Sequence, residues 1–198
     1  MERTGITRRA GVRVIEDTVL EECLFDGERP PPLAGMDPER VVSVGSLSKS
    51  VWGGLRVGWV RAPAGIAARL AAAKAAADLG STSFQQGIVA ALVSGRHDEI
   101  VKWRAEWLRP RYDAMAGALR SFLPGWEWAA PSGGLTVWAR LPAGAESSGF
   151  AQAALRHGVA VVPGRLLSGA DGGGRHVRLA FTQPPERLVA AVRALAGV

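Results

Sequence analysis

The sequence predicts an α/β protein, in which a larger part built on a parallel sheet precedes a smaller α+β part. Two observations indicate this class. Short apolar runs rich in β-branched residues alternate with helical patterns as far as Leu123, and no internal repeat interrupts them. After Pro124 the pattern changes to short strand signals around glycine turns, with shorter helices between them.

Three apolar runs predict the buried strands of the larger part, and three helical patterns accompany them. The strands are expected over residues 12–16, 40–44 and 57–61, and the helices over 63–79, 85–93 and 97–123. The first run, VRVIE, leads into the acidic pair Glu16 and Asp17. A buried strand has this pattern when its carboxyl end opens onto a site.

The smaller part is predicted to contain four strands and two helices. The strands are expected over 126–129, 135–141, 159–162 and 176–181, and the helices over 148–157 and 185–196. The turn PSGG joins the first two strands, because its glycines permit a positive φ. The glycine-rich GADGGGR at 169–175 predicts a flexible loop, since no GK[ST] follows it to complete a phosphate-binding loop.

Composition narrows the classes of function. The net charge is +6, but no basic run reaches five residues, so direct nucleic-acid binding by this chain is not expected. The sequence has no apolar run of membrane-spanning length and no hydrophobic signal segment at its start. These features predict a cytoplasmic location and no membrane partner. The single cysteine, Cys23, is interpreted as a half-buried small hydrophobe, because it has no disulfide or zinc partner in the sequence.

The stretch GSLSKSVWGGLRVGW, residues 45–59, carries the candidate chemistry. It places Lys49 on a turn of small residues directly after a predicted strand. A lysine held there becomes a nucleophile for carbonyl groups once its surroundings disfavour its charge. Ser46 and Ser48 add hydroxyls, and Arg56 adds donors that match a phosphate. The combination indicates a pocket for a phosphorylated aldehyde, whereas the alternative is a surface lysine and arginine beside an ordinary turn.

The same stretch resembles the SxSKxxxPGLRxGW signature of fold-type I pyridoxal 5'-phosphate enzymes, the class I/II aminotransferases. The spacing from lysine to arginine is that of the MocR branch of the GntR-family transcription regulators and of its close aminotransferase relatives. The resemblance implies that Lys49 bonds covalently to the aldehyde of the cofactor, pyridoxal 5'-phosphate. It also implies that Ser46, Ser48 and Arg56 hold the cofactor's phosphate.

The upstream stretch VIEDTVLEECLFDG, residues 14–27, resembles the VIEDDYxxEFxxDG element of the same family. Asp17 takes the place of the aspartate that pairs with the pyridine nitrogen and keeps it protonated, although by itself Asp17 could be a helix N-cap. The family's tyrosine two positions later is replaced by Val19, and the one tyrosine of the chain is Tyr112. The missing phenol contact argues against full transaminase activity.

A third stretch, HVRLAFTQP at residues 176–184, resembles the family's strand that carries the arginine for the substrate α-carboxylate. Arg178 takes that role by resemblance. An arginine inside an apolar strand is costly to bury unless it meets an anion, and a carboxylate can accept two hydrogen bonds from it. The alternative is a strand residue that faces solvent.

The resemblance covers nearly the whole chain but only the latter part of the aminotransferase-like domain. It assigns residues 1–110 to the C-terminal half of the large pyridoxal-phosphate-binding domain and 111–198 to the small C-terminal domain. It therefore implies an N-terminally truncated product or fragment without a winged-helix domain, whose exposed sheet edges predict poor folding in isolation.

Three functional hypotheses remain open at this point. The wording WGGLR and the valine at position 19 favour the effector-sensing domain of a MocR-type regulator. The second hypothesis is a pyridoxal-phosphate-dependent aminotransferase acting on an amino acid and a 2-keto acid, and the third is an inactive gene remnant. The family implies a homodimer and a small amino-acid or amine ligand.

Overall fold

The computed structural model describes residues 11–26, 29–169 and 172–198. These residues form two compact units, Met1–Arg104 and Ala105–Val198. The domain boundary after residue 110 remains a prediction about the family's domains. Most of the N-terminal segment inspected for a secretory signal, and the centre of the glycine-rich loop, lie outside the described residues.

The first unit contains a three-stranded sheet of mixed direction. Its strands are β1 (Val14–Asp17), β2 (Val41–Ser46) and β3 (Gly58–Arg61), in the order β1-β2-β3. β1 is parallel to β2, but β3 is antiparallel to β2. The sheet expected to be parallel is therefore mixed, because β3 returns in the opposite direction. The physical reason is the short connection over 47–57, because a parallel return requires a crossover of about a dozen residues or more.

Short helices and one longer helix surround this sheet. They are a 3-10 helix at Glu21–Cys23, helix α1 at Leu33–Met36, a second 3-10 helix at Gly53–Leu55 and helix α2 at Ala64–Asp78. One hydrophobic core cluster of the unit contains three buried residues, Leu47, Leu55 and Val89. Two of them belong to the connection between β2 and β3, so the core anchors that connection from both ends.

A long helix, α3, extends over Ser83–Phe122. The sequence predicted two helices here, over 85–93 and 97–123. Both helices are present, and they join into one helix that is interrupted only at Arg96, whose backbone angles (φ −139°, ψ 17°) are not helical. The break follows Ser94 and Gly95, two residues with low helix propensity. In the part of the chain that the structure describes, no helix is both long and apolar enough to cross a membrane.

The second unit contains a four-stranded antiparallel sheet. The strands are β4 (Glu127–Trp128), β5 (Thr136–Arg140), β6 (Val162–Pro163) and β7 (His176–Ala180), and their order is β4-β5-β7-β6. Helices α4 (Ser147–Arg156) and α5 (Pro185–Leu195) belong to the same unit. Alternate residues of the two central strands are buried, namely Val137, Ala139, Val177 and Leu179. This period of two is the pattern of a sheet with one covered face.

The strand predicted over 159–162 begins later than expected. Helix α4 ends at Arg156 with His157 as its C-cap, Gly158 follows at φ +78°, and the backbone N–H of Val159 donates to the carbonyl oxygen of Ala154 at 3.0 Å. This is the hydrogen bond of a glycine-terminated helix end, so Val159 belongs to the helix cap and not to the sheet. The ladder with β7 starts only at Val162.

Glu146 caps the N-terminus of α4 and gives a prediction about pH. Its Oε2 accepts hydrogen bonds from the backbone N–H groups of Ser148 (3.0 Å) and Gly149 (2.8 Å), and its Oε1 accepts one from Arg165 Nε (3.1 Å). The two backbone hydrogen bonds lower the pKa of this carboxyl from 4.5 to about 2. Since the folded-state pKa is depressed, the stabilisation is present above pH 4.5 and is lost as the pH falls toward 2.

We expect Glu146→Ala to lower the melting temperature at pH 7, and this difference from the parent chain to shrink between pH 4.5 and about 2. Circular dichroism melts over that pH range measure it. Glu146→Gln keeps an acceptor but carries no titrating charge, so its own melting temperature should lack this pH-dependent contribution. A difference between the parent and Glu146→Ala that stays constant over the range would contradict the prediction.

Candidate functional site

The carboxyl ends of β1 and β2 meet at one edge of the first sheet. Asp17 ends β1 and lies opposite Val44 in the parallel ladder, and Ser46 ends β2 two residues beyond Val44. Residues two apart on a strand share a face, so the side chains of Asp17 and Ser46 lie on the same face at this edge. Thr18 fixes the chain as it leaves β1, because its N–H and hydroxyl both donate to the Val44 carbonyl oxygen at 2.9 Å.

Asp17 is exposed and caps a turn of its own. Its Oδ1 accepts a hydrogen bond from the backbone N–H of Val19 at 2.9 Å. The first 3-10 helix has Leu20 at its N-cap position, without a side-chain hydrogen bond. The alternative interpretation of Asp17 as a helix N-cap is therefore wrong. Its carboxylate is fixed by the turn and faces outward at the sheet edge.

Ser46 and Ser48 form a linked pair of half-buried hydroxyls. The Ser46 hydroxyl lies 2.7 Å from the Val57 carbonyl oxygen and 2.9 Å from Ser48 Oγ, and the Ser48 N–H donates to Ser46 Oγ at 3.1 Å. A hydroxyl has one hydrogen, so Ser46 donates to Val57 and accepts both bonds from Ser48. The pair ties the start of the connection over 47–57 to its end.

Lys49 is exposed, whereas Leu47, two residues before it, and Ser50, directly after it, are fully buried. The backbone N–H of Val51 donates to the Leu47 carbonyl oxygen at 2.9 Å, which closes the turn. Within residues 11–26, 29–169 and 172–198, the Lys49 ammonium has no ion pair or hydrogen bond. The sequence expectation of a lysine held on a tight turn thus agrees with the local geometry, because the buried Leu47 and Ser50 anchor the turn on either side of Lys49.

Cys23 is buried at the end of the first 3-10 helix, in the segment that follows Asp17. Burial raises the pKa of the Cys23 thiol above its usual value, and the positive charges of Arg104 and Lys49 oppose this rise. The thiol is fully buried, not half-buried as the sequence indicated. Its burial and high pKa make it unsuited to nucleophilic work.

Arg56 adopts a strained backbone conformation. It ends the second 3-10 helix with φ 51° and ψ 30°, in the left-handed region. A residue with a side chain pays about 1 kcal/mol or more for this conformation, and such residues concentrate at functional sites. The buried neighbour Leu55 holds the helix end while the Arg56 side chain is exposed. The guanidinium therefore faces solvent, and Arg56 belongs to the same connection between β2 and β3 as Lys49.

Arg178 lies in the second unit, at the centre of β7. Its neighbours Val177 and Leu179 are buried, and Arg178 projects from the opposite face of the sheet and is exposed. Of the two possibilities that the sequence left open, the side chain has the solvent-facing orientation, because the strand alternates and only one of its faces is covered. The carboxylate-binding role of Arg178 stays a prediction.

Sequence reasoning missed a pair in the first unit that joins the buried Glu22 to the half-buried His97. Glu22 is 7% exposed, and its Oε1 lies 2.5 Å from His97 Nε2. His97 directly follows the helix break at Arg96, so the pair joins the segment after Asp17 to that break. The only available signal was an acidic residue close to Asp17, which gave no indication of a distant histidine. Glu16 was also missed as a structural group: it accepts hydrogen bonds from the Leu33 N–H and the Ser43 hydroxyl, both at 2.7 Å.

Comparison with known proteins places the chain in a family. Residues 4–195 match the family described as aminotransferase class I and II. Aromatic-amino-acid aminotransferase 1 of Thermococcus litoralis is 35% identical over 89% of the chain and 43% of its own length. The uncharacterized HTH-type transcriptional regulator YisV of Bacillus subtilis is 31% identical over 86% of the chain and 36% of its own length.

Solved structures agree with this placement. LysN, an α-aminoadipate aminotransferase from Thermus thermophilus complexed with N-(5'-phosphopyridoxyl)-L-leucine, superposes with a TM-score of 0.91 and 30% identity, over 98% of this chain and 51% of that one. The chain thus spans about half the length, or less, of these relatives. The predicted fold and the predicted resemblance to both enzymes and HTH-type regulators are confirmed. The chain belongs to the aminotransferase class I and II family, whose members depend on pyridoxal phosphate.

Proposed function

We propose that this chain forms part of the pyridoxal 5'-phosphate site of an aminotransferase-like, effector-sensing domain of a MocR-type transcription regulator. The observation that carries the proposal is the rigid turn between β2 and β3. It presents the exposed Lys49 amine, which has no ion pair or hydrogen bond among the described residues, after the Ser46–Ser48 hydroxyl pair and before the outward-facing Arg56. The donor set fits the cofactor: a primary amine for its aldehyde, hydroxyls and a guanidinium for its phosphate, and a carboxylate for its ring nitrogen.

Each residue has a distinct task in this proposal. Lys49 supplies the amine that bonds a carbonyl carbon, and its Nζ can also carry a proton to and from the reacting carbon. Arg56 and the two serines neutralise and orient the phosphate. Bound cofactor supplies a protonated pyridine ring that withdraws electrons from the substrate α-carbon.

The remaining two residues act on the ring nitrogen and on the ligand. Asp17, fixed by its bond from the Val19 N–H, faces outward and can hold a proton on the ring nitrogen. Arg178 would bind the α-carboxylate of a small amino-acid or amine-derived ligand. A carboxylate is the anion that a guanidinium pairs with in two parallel hydrogen bonds.

The regulator is preferred to the enzyme because of the aromatic hydroxyl that is absent near Asp17. Val19 stands where the resembling element has tyrosine, and Tyr112 packs edge-on against Phe181 in the second unit, with ring centroids 5.7 Å apart. The second candidate, an aminotransferase for an amino acid and a 2-keto acid, is favoured by the 35% identity to the Thermococcus litoralis enzyme. In either case we propose a cytoplasmic homodimer that makes no direct contact with nucleic acid through this chain.

The experiment uses the fact that the chain has only three lysines, Lys49, Lys74 and Lys102. The chain is mixed with pyridoxal 5'-phosphate, treated with borohydride to fix covalently bound cofactor, digested and mapped by mass spectrometry. We expect the added mass on the Lys49 peptide. Lys74 is paired with Asp78 at 2.6 Å and Lys102 is on an exposed helix face, so both serve as internal controls. Equal labelling of all three lysines, or none, would refute the proposal.

A further inference from the structure

The exposed face of the second sheet carries an ordered aromatic surface around Arg178. Trp138 lies directly opposite Arg178 in the β5–β7 ladder. Cross-strand partners have Cβ atoms about 5 Å apart on the same face of a sheet. Val162 of β6 is the partner of Arg178 on its other side. The guanidinium therefore lies between an indole and an aliphatic side chain.

Trp138 is held in place although it is 39% exposed. Its ring is stacked on the imidazole of His176, with centroids 5.3 Å apart and planes 6° from parallel. On another side it meets Gly164, where an added Cβ would lie 2.9 Å from the ring. An exposed large aromatic group that is fixed on two sides offers a flat apolar surface with little conformational entropy to lose when a ligand binds.

The charges on this face favour an anion next to that surface. Arg140 is paired with Glu127 at 3.1 Å, so this carboxylate is already occupied. In the described parts of the chain, the Arg178 guanidinium has no hydrogen bond or ion pair. A free carboxylate is the ligand group that complements it, and an aromatic group attached to that carboxylate would reach the adjacent indole.

We propose that Trp138, supported by His176, is a specificity-determining residue that selects carboxylate ligands with an aromatic side chain at Arg178. The proposal rests on the proposed function only in taking Arg178 as the carboxylate-binding residue. It narrows the ligand class from small amino acids in general to amino or keto acids with an aromatic side chain. Short aliphatic and dicarboxylic acids would gain nothing from the indole.

The test uses probes without a reactive carbonyl, so that Lys49 and the cofactor play no part. 3-Phenylpropionate, propionate and glutarate are titrated into the full chain, and the indole N–H signals are followed by NMR. The Trp138 signal is identified by its loss in Trp138→Leu. We expect 3-phenylpropionate to bind about tenfold more tightly than propionate and to shift the Trp138 signal, since an aromatic pair contributes up to this factor beyond area burial.

Variants separate the two parts of the site. Trp138→Leu should remove the preference for 3-phenylpropionate and leave propionate unchanged, whereas Trp138→Phe should keep most of it. Arg178→Ala should weaken both ligands. Trp128→Phe is the matched control, because Trp128 is paired with the buried Ala139 and so belongs to the opposite face of the same sheet.

Three results would overturn the proposal: no binding of 3-phenylpropionate, tighter binding of glutarate, or an unchanged preference in Trp138→Leu. All three are independent of cofactor attachment. If Lys49 fails to become labelled but these titrations succeed, the proposed function is wrong and the aromatic carboxylate site stands.

Discussion

Replacing Lys49 with alanine is expected to abolish borohydride-fixed attachment of pyridoxal 5'-phosphate and to leave the fold intact. Lys49 is exposed and has no hydrogen bond or ion pair in the described ranges, so its truncation removes no contact on which the turn depends. The turn itself is held by the buried Leu47 and by the backbone bond from Val51. Any transaminase turnover should fall by about 10²–10⁴-fold, the range for loss of a positioned proton-transfer group.

Two control variants make this result specific. Lys74→Ala removes an exposed lysine whose ion pair with Asp78 lies on the surface and is screened by solvent, so it should leave attachment unchanged. Lys49→Arg keeps the positive charge but cannot bond the aldehyde, so it should retain weak phosphate-driven binding without covalent fixation. Attachment is measured by absorbance and by intact mass after reduction. Undiminished attachment in Lys49→Ala would remove this residue from its role.

Local patterns predicted most strands and helices, because the regular alternation of buried and exposed positions gives each element a periodic hydrophobic pattern in the sequence. Residues 176–180 alternate between buried and exposed, and the prediction over 176–181 recovered them as β7. The direction of β3 was mispredicted, since periodicity carries no information on whether a strand returns parallel or antiparallel. Val159 was assigned to a strand because β-branched residues favour strands. Such residues also occur at helix ends, and here the left-handed backbone of Gly158 places Val159 in the cap of the preceding helix.

The candidate site shows the same division between local and distant information. Ser46, Ser48 and Lys49 are adjacent in sequence, and their shared turn could be predicted from small residues after a strand. The left-handed backbone of Arg56 could not, because arginine has no intrinsic preference for that region.

Contacts between distant residues were not predictable from one sequence. The hydrogen bond between Glu22 and His97 joins residues 75 positions apart. Glu22 belongs to the stretch over residues 14–27 that resembles the family element, but nothing in that stretch points to His97, and a charged group near a strand end is most often solvated. Likewise, Arg178 is exposed because the other face of the second sheet is the covered one. Which face is covered depends on how the whole unit packs and not on the sequence of the strand.

Among the described glycines of the second unit, Gly164 has the most crowded backbone surroundings. Gly164→Ala is therefore expected to destabilise this unit strongly. A Cβ at this position would lie 2.7 Å from the carbonyl oxygen of His176 and closer still to that of Gly173. It would also lie 2.9 Å from the Trp138 ring. Two of these three neighbours are backbone atoms, which cannot move without displacing the start of β7.

We expect a loss of about 3 kcal/mol in the free energy of unfolding, at the upper end of the range for overpacking, and a fall of roughly 10 °C in melting temperature. The matched control is Gly117→Ala in helix α3. An added Cβ there meets nothing within 4 Å, so the variant should gain about 0.5–1 kcal/mol from the lower entropy of the unfolded chain. Thermal and urea unfolding of both variants measure the difference. Equal stability of the two would show that the segment at Gly164 relaxes freely, and the fixed position of the Trp138 ring would then lose its support.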